Sequence, residues 1–118
     1  MSKKDIFNNW FKQHDIEDVE VLLPDMAGAA RGKIIPASSF GEGEMKMPEA
    51  IFGQTVSGNY YETDDNVEDR DMLLVPDPDT LCSVPWMELP TASVIFDGFT
   101  KDGDEVLTSP RRVLQNVL

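Results

Sequence analysis

Apolar and polar positions along the chain fall into short segments with readable periods. Ile6, Phe7, Trp10 and Phe11 recur at helical spacing, and Asp5 sits in the first turn, where the helix dipole favours an acid. This predicts an amphipathic helix over 3–14 that docks on a core. Over 18–24, Val19, Val21 and Leu23 alternate with Asp18, Glu20 and Leu22, the period of a strand. A turn follows at 25–30, with Gly28 free to take positive φ. Arg31 to Ile35 resumes an extended run ended by Pro36, which makes a hairpin. Ser38 or Ser39 is placed to cap a short helical turn at Phe40.

Residues 41–70 carry no strong period and contain Gly41, Gly43, Gly53 and Gly58. Phe52 to Tyr61 reads as a loop or frayed strand. Asp71 to Pro76 reads as a short buried strand and Pro76, Pro78 and Asp79 as a turn. Thr80 to Val84 reads as another strand, closed by Pro85-Trp86. The β-branched run 91–97 is the strongest strand in the chain. Asp102-Gly103 centres a turn, so a final hairpin is expected. Ser109-Pro110 opens a helix whose apolar positions Val113, Leu114, Val117 and Leu118 run to the last residue with no stop signal. The sum is α+β, about five or six short strands with a helix at each end. Apolar patches are expected on the helix at 110–118 and on the face of residues 6–11.

Composition narrows the function. The 118 residues hold 22 acids against 10 bases, a net charge of −12. One domain fits this length. Such acidity argues against nucleic acid and against an anionic membrane surface, both of which need a basic face. No apolar run approaches the ~20 residues of a membrane helix, and the first residues lack the apolar stretch of a signal peptide. Cys82 is the one cysteine, so no internal disulfide forms, and a reducing cytoplasm fits. With one histidine, no His/Cys cluster and no P-loop, a self-contained nucleotide or zinc enzyme is hard to build.

Candidate chemistry is sparse. The acid run Glu62, Asp64, Asp65, Glu68, Asp69 and Asp71 lacks the spacing and bend glycine of a calcium loop and reads as a solvated face. His14 is expected exposed near a helix end, and Cys82 is expected as an inert thiol buried in an apolar strand. Arg31-Gly32-Lys33 reads either as a small anion site or as exposed strand charges.

Several runs taken together carry a resemblance. Asp25, Gly28, Arg31-Gly32-Lys33 and Pro36 resemble the D-x-x-G-x-x-R-G-K-x-x-P hairpin of the glutamine synthetase family's N-terminal domain. Asp71-Met72 to Pro76-Asp77 with Thr80 resembles that family's D-M-x-L-x-P-D-x-x-T strand. Val84-Pro85-Trp86, Asp97-Gly98, and Asp102-Gly103 with Ser109-Pro110-Arg111 follow in matching order. Phe52, Val56 to Asn59, Pro78 to Cys82 and Pro90-Thr91-Ala92 are more similar to the gamma-glutamylputrescine synthetase branch.

The resemblance implies a β-grasp N-terminal domain over 1–108 and, over 109–118, the start of a helix leading to an absent catalytic domain. It implies a ligase that joins glutamate's γ-carboxylate to ammonia or an amine through γ-glutamyl phosphate, with ATP and magnesium or manganese held outside this fragment. It implies a homo-oligomeric ring, commonly a dodecamer, in which this domain closes the active site of a neighbouring subunit and is inactive alone. The closing loop is then about Phe52 to Tyr61, with Gly53, Thr55, Ser57, Asn59, Glu62 and Asp64 as lid or amine-site candidates. Arg31 and Lys33 serve the hairpin or an interface, and no metal ligand is assigned. Ammonia-using members carry F-D-G-S-S in this loop; here Phe52-Gly53-Gln54-Thr55-Val56 has no Asp, which turns the expectation toward a larger amine. The alternatives are a stand-alone β-grasp module binding a protein through a sheet edge, and an acidic calcium-binding domain.

Overall fold

The computed structural model describes residues 2–25, 27–42, 45–53 and 71–118. Helix α1 (Lys3–Gln13) opens with a reciprocal cap: Ser2 Oγ accepts the Asp5 N–H at 3.2 Å, and the Asp5 carboxylate accepts the Ser2 N–H at 3.3 Å. Strands β1 (Asp18–Pro24) and β2 (Ala30–Pro36) follow, then a 3-10 turn Ala37–Ser39. Next come β3 (Met45–Pro48), a 3-10 turn Glu49–Gly53, and β4 (Asp71–Pro76). A 3-10 turn Pro78–Thr80, β5 (Cys82–Val84), β6 (Thr91–Phe99) and helix α2 (Pro110–Val117) complete the order. Hydrogen-bonded neighbours in the sheet run β2-β1-β6-β4-β3, with β5 paired to β6 off this path. The α+β, β-grasp-like architecture expected from the chain is the one observed.

Four local expectations need correction. Ser38 and Ser39 lie inside their 3-10 turn, whose cap is Pro36 without a side-chain bond. Strand β3 was hidden by the glycine-rich setting of a four-residue Met-Lys-Met-Pro run. Thr80 is not strand: its hydroxyl donates to the Asp77 carbonyl and accepts the Ile95 N–H, both at 2.8 Å, so β5 starts only at Cys82. The expected last hairpin shrinks to one Phe99–Glu105 bridge, with Thr100 N–H donating to Asp104 O at 2.8 Å across the Asp102-Gly103 turn.

The chain divides into two compact units. The first comprises 1–22, 32–43 and 76–96. Here β1 and β6 pair in parallel, Asp18 opposite Thr91 through Leu22 opposite Ile95, while β5 pairs antiparallel with β6. The core is an aromatic cluster over a β-branched floor. Phe40 packs on Phe7 at 5.0 Å, Phe11 at 5.2 Å and Phe96 at 6.0 Å, and Val19, Val21 and Val94 are fully buried. Phe7 and Phe11, one helical turn apart, make the buried stripe of α1; Trp10 is only half-buried and Ile6 is exposed, so the docking face is narrower than the sequence pattern. The face of 6–11 is therefore mostly covered.

The second unit comprises 23–31, 44–75 and 97–118. Strands β3 and β4 pair antiparallel, Met45 opposite Leu74 through Pro48 opposite Asp71. Leu23, Ile51, Phe52, Met72, Leu74 and Val106 are buried. A Cβ at Gly98 would lie 2.6 Å from Met72 Sδ, so glycine there leaves the room that Met72 fills. Helix α2 buries no residue, and Val113, Leu114, Val117 and Leu118 are all exposed, the apolar patch expected at this end. Among the described residues no helix is long and apolar enough to cross a membrane.

Candidate functional site

The most organised polar constellation is the turn between β1 and β2. Asp25 is buried, and its carboxylate accepts the Ala27 N–H and Ala29 N–H, each at 2.9 Å, and Arg31 Nε at 2.8 Å. The Asp25 N–H donates to Ala29 O at 3.0 Å, and Gly28 takes φ +79°, where a side chain would be strained. One side chain thus ties both arms of the turn to Arg31. The Arg31 hydrogen bond, helped by the two backbone N–H groups, holds the Asp25 carboxyl below its ordinary value, although burial pushes the other way.

The pH consequence has a definite sign. The folded carboxyl ionises more readily than the unfolded one, whose value is near 3.8. Its contribution is complete above that value and is lost as pH falls through the lower folded value. Urea midpoints are expected to fall on acidification below pH ~4, and Asp25→Asn is expected to cost about 1.5–3 kcal/mol at neutral pH and to flatten that acid limb. An Asn variant as stable as the parent at pH 7 would show that the clamp does not stabilise the fold.

This geometry decides between the two readings of Arg31-Gly32-Lys33. Arg31 is engaged by Asp25, while Lys33 is exposed, so the segment does not offer a free pair of cations to an anion. Gly32 has a separate reason: a Cβ there would lie 1.8 Å from the Val21 carbonyl oxygen. Sequence reading placed Asp25 in a motif without giving it a role. The available signal was an aspartate opening a short turn, where its side chain caps N–H groups two and four residues on.

Of the lid candidates, Gly53 ends the 3-10 turn Glu49–Gly53, whose Ile51 and Phe52 are buried. Thr55, Ser57, Asn59, Glu62 and Asp64 lie outside the described residues. Among the described residues no three His, Cys, Asp or Glu side chains gather to hold a metal ion. His14 caps α1, its ring stacked on Trp10 at 4.0 Å and Nδ1 2.9 Å from Trp10 O. Cys82 corrects the sequence reading: it is exposed, with Sγ 3.0 Å from Ser93 Oγ. In the three-residue β5, only Val84 turns inward.

Comparison with known proteins gives the site its context. No family model matches the chain. It is 32% identical to lengsin of Rattus norvegicus over 127 aligned residues, covering 98% of this chain and 21% of that protein. It is 31% identical to glutamine synthetase of Pyrococcus abyssi, covering 85% of this chain and 21% of that enzyme. It is also 31% identical to the gamma-glutamylethanolamide synthetase of Streptomyces coelicolor, covering 88% of this chain and 24% of that one. The fold matches the structure of GmaS in its ADP complex with a TM-score of 0.72 at 21% identity, over 95% of this chain and 24% of that one. The chain's homologues are glutamine synthetase-family proteins, and it spans about a fifth to a quarter of their length.

Proposed function

We propose that this chain is the N-terminal domain of an ATP-dependent ligase that joins the γ-carboxylate of glutamate to an amine. The observation that supports this most directly is similarity over nearly the whole chain to proteins of one family that includes a gamma-glutamylethanolamide synthetase. In this reading the domain closes the active site of a neighbouring subunit in a homo-oligomeric ring. ATP and magnesium or manganese are assigned, on the family pattern, to the rest of the full-length polypeptide, of whose relatives this chain spans about a fifth to a quarter.

The chain's own part is to shield and position. An acyl phosphate is water-sensitive, and a lid that excludes water protects it. Ile51 and Phe52, just before the segment assigned as the lid, are buried. The segment beginning at Gly53, with Thr55, Ser57, Asn59, Glu62 and Asp64, is assigned to hold the incoming amine. Its polar side chains bind, and its carboxylates attract a cationic amine before it loses its proton. The absence of an aspartate at Phe52-Gly53-Gln54-Thr55-Val56 favours an amine larger than ammonia, on the gamma-glutamylputrescine synthetase pattern. The location assigned is the cytoplasm.

The test is an amine panel on the full-length protein with glutamate, ATP and magnesium, reading phosphate release. A primary mono- or diamine is expected to exceed ammonium at least about tenfold in kcat/KM, because a site shaped for an alkyl amine leaves contacts unmade by ammonium. Equal or better use of ammonium would overturn the amine assignment. No glutamate-dependent phosphate release with any nitrogen donor would overturn the ligase. The 118-residue chain alone is expected to release none.

A further inference from the structure

Helix α2 meets its unit through its polar face. None of its residues is buried, and its apolar positions Val113, Leu114, Val117 and Leu118 are 50–95% exposed. An isolated helix of eight residues is unstable in water, so something other than apolar packing holds it. The holding contacts are ionic. Arg111 Nη1 donates to Asp97 Oδ1 at 2.5 Å, both side chains being less than one-fifth exposed. Arg112 Nη1 lies 3.3 Å from Glu105 Oε1, and its guanidinium sits 5.8 Å from the Phe99 ring centroid. Asp97 and Phe99 belong to the end of β6, and Glu105 to the bridge opposite Phe99.

We propose that α2 is an electrostatically latched arm: the Asp97–Arg111 pair, seconded by Glu105–Arg112, fixes the helix against the end of β6 with its apolar stripe turned outward. Half-buried arginine–carboxylate bonds are stronger than exposed ones and set orientation, because the planar guanidinium fixes direction. Arg112 Nε and Gln115 Oε1 are buried without a hydrogen-bond partner, and opening returns both to water. A helix packed through its apolar face would lose buried area on release, whereas this one loses charge contacts that salt and charge removal weaken.

Hydrogen exchange of the 118-residue chain tests the latch. In the parent at low salt, amides from Val113 to Leu118 are expected to be protected, with Val113 N–H bonded to Ser109 O and Leu118 N–H to Leu114 O. Asp97→Asn and Arg111→Gln are each expected to speed their exchange at least about tenfold, leaving Val94 and Phe96 of β6 unchanged. Salt near ~1 M is expected to act in the same direction but more weakly, mainly through the more exposed Glu105–Arg112 pair. The exchanged pair, Asp97→Arg with Arg111→Asp, is expected to recover protection. Glu105→Gln, outside the strands, is expected to speed α2 exchange even where changes at Asp97 disturb β6. Unchanged α2 exchange in both Asp97→Asn and Glu105→Gln would overturn the proposal. So would unprotected α2 amides in the parent, or release by Leu114→Ser with Val117→Ser in place of the charge variants.

Discussion

Replacing Phe96 with alanine is expected to cost about 3–5 kcal/mol of folding stability, a large part of the ~5–15 kcal/mol that holds a domain together. Phe96 is 1% exposed and lies on β6, the strand that neighbours β1, β4 and β5. Its ring meets Phe40 edge-on, and Phe40 in turn packs against Phe7 and Phe11 of α1. Removing the ring therefore takes away its own buried area and leaves a cavity beneath Phe40, which close packing cannot refill. Urea denaturation reads this as a drop in midpoint without a change in slope. A loss below about 1 kcal/mol would mean that the aromatic cluster collapses around the gap and is not a specified core.

The second large effect comes from adding one carbon. Gly32→Ala is expected to destabilise by roughly 3 kcal/mol, the upper range for overpacking, because the new Cβ meets backbone and not a movable side chain. It would stand 1.8 Å from the Val21 carbonyl oxygen and 2.9 Å from the Val21 carbonyl carbon, in a strand whose own side chain is fully buried. Either β2 shifts off β1 or Val21 leaves its seat. Thermal unfolding by circular dichroism checks it. Gly103→Ala is the comparison, since a Cβ there meets nothing within 4 Å and only the positive φ of +90° opposes it. A loss at Gly32 no larger than that at Gly103 would mean that the two strands relax around the new Cβ and that the close approach to Val21 is not costly.

Much of the fold was legible because it is written in near neighbours. Alternation over 18–24 placed β1 at its observed bounds and named Val19, Val21 and Leu23 as its buried face. Gly28 was placed at a positive-φ turn and is found there, and Pro110 opens α2. Two of the misreadings share one cause. Cys82 sits in an apolar run yet is exposed, and Thr80 has a β-former's side chain yet turns the chain, because burial and pairing there depend on Ser93 and Ile95 of a later strand. Asp25 was legible as a turn residue, but the buried clamp needed Arg31 brought back onto it.

By itself the sequence determined both helices, most of the strands in their order, and the alternating buried face of β1. Tertiary structure alone decided that β1 pairs in parallel with β6, about seventy residues later in the chain, that Arg31 is taken up by Asp25, and that α2 turns its arginines inward and Val113, Leu114 and Val117 out. Periodicity reports which side of an element is apolar. It does not report which charge or strand will meet it, since those contacts need the chain folded back on itself, across six residues for Asp25–Arg31 and across the long loop to β6 for β1.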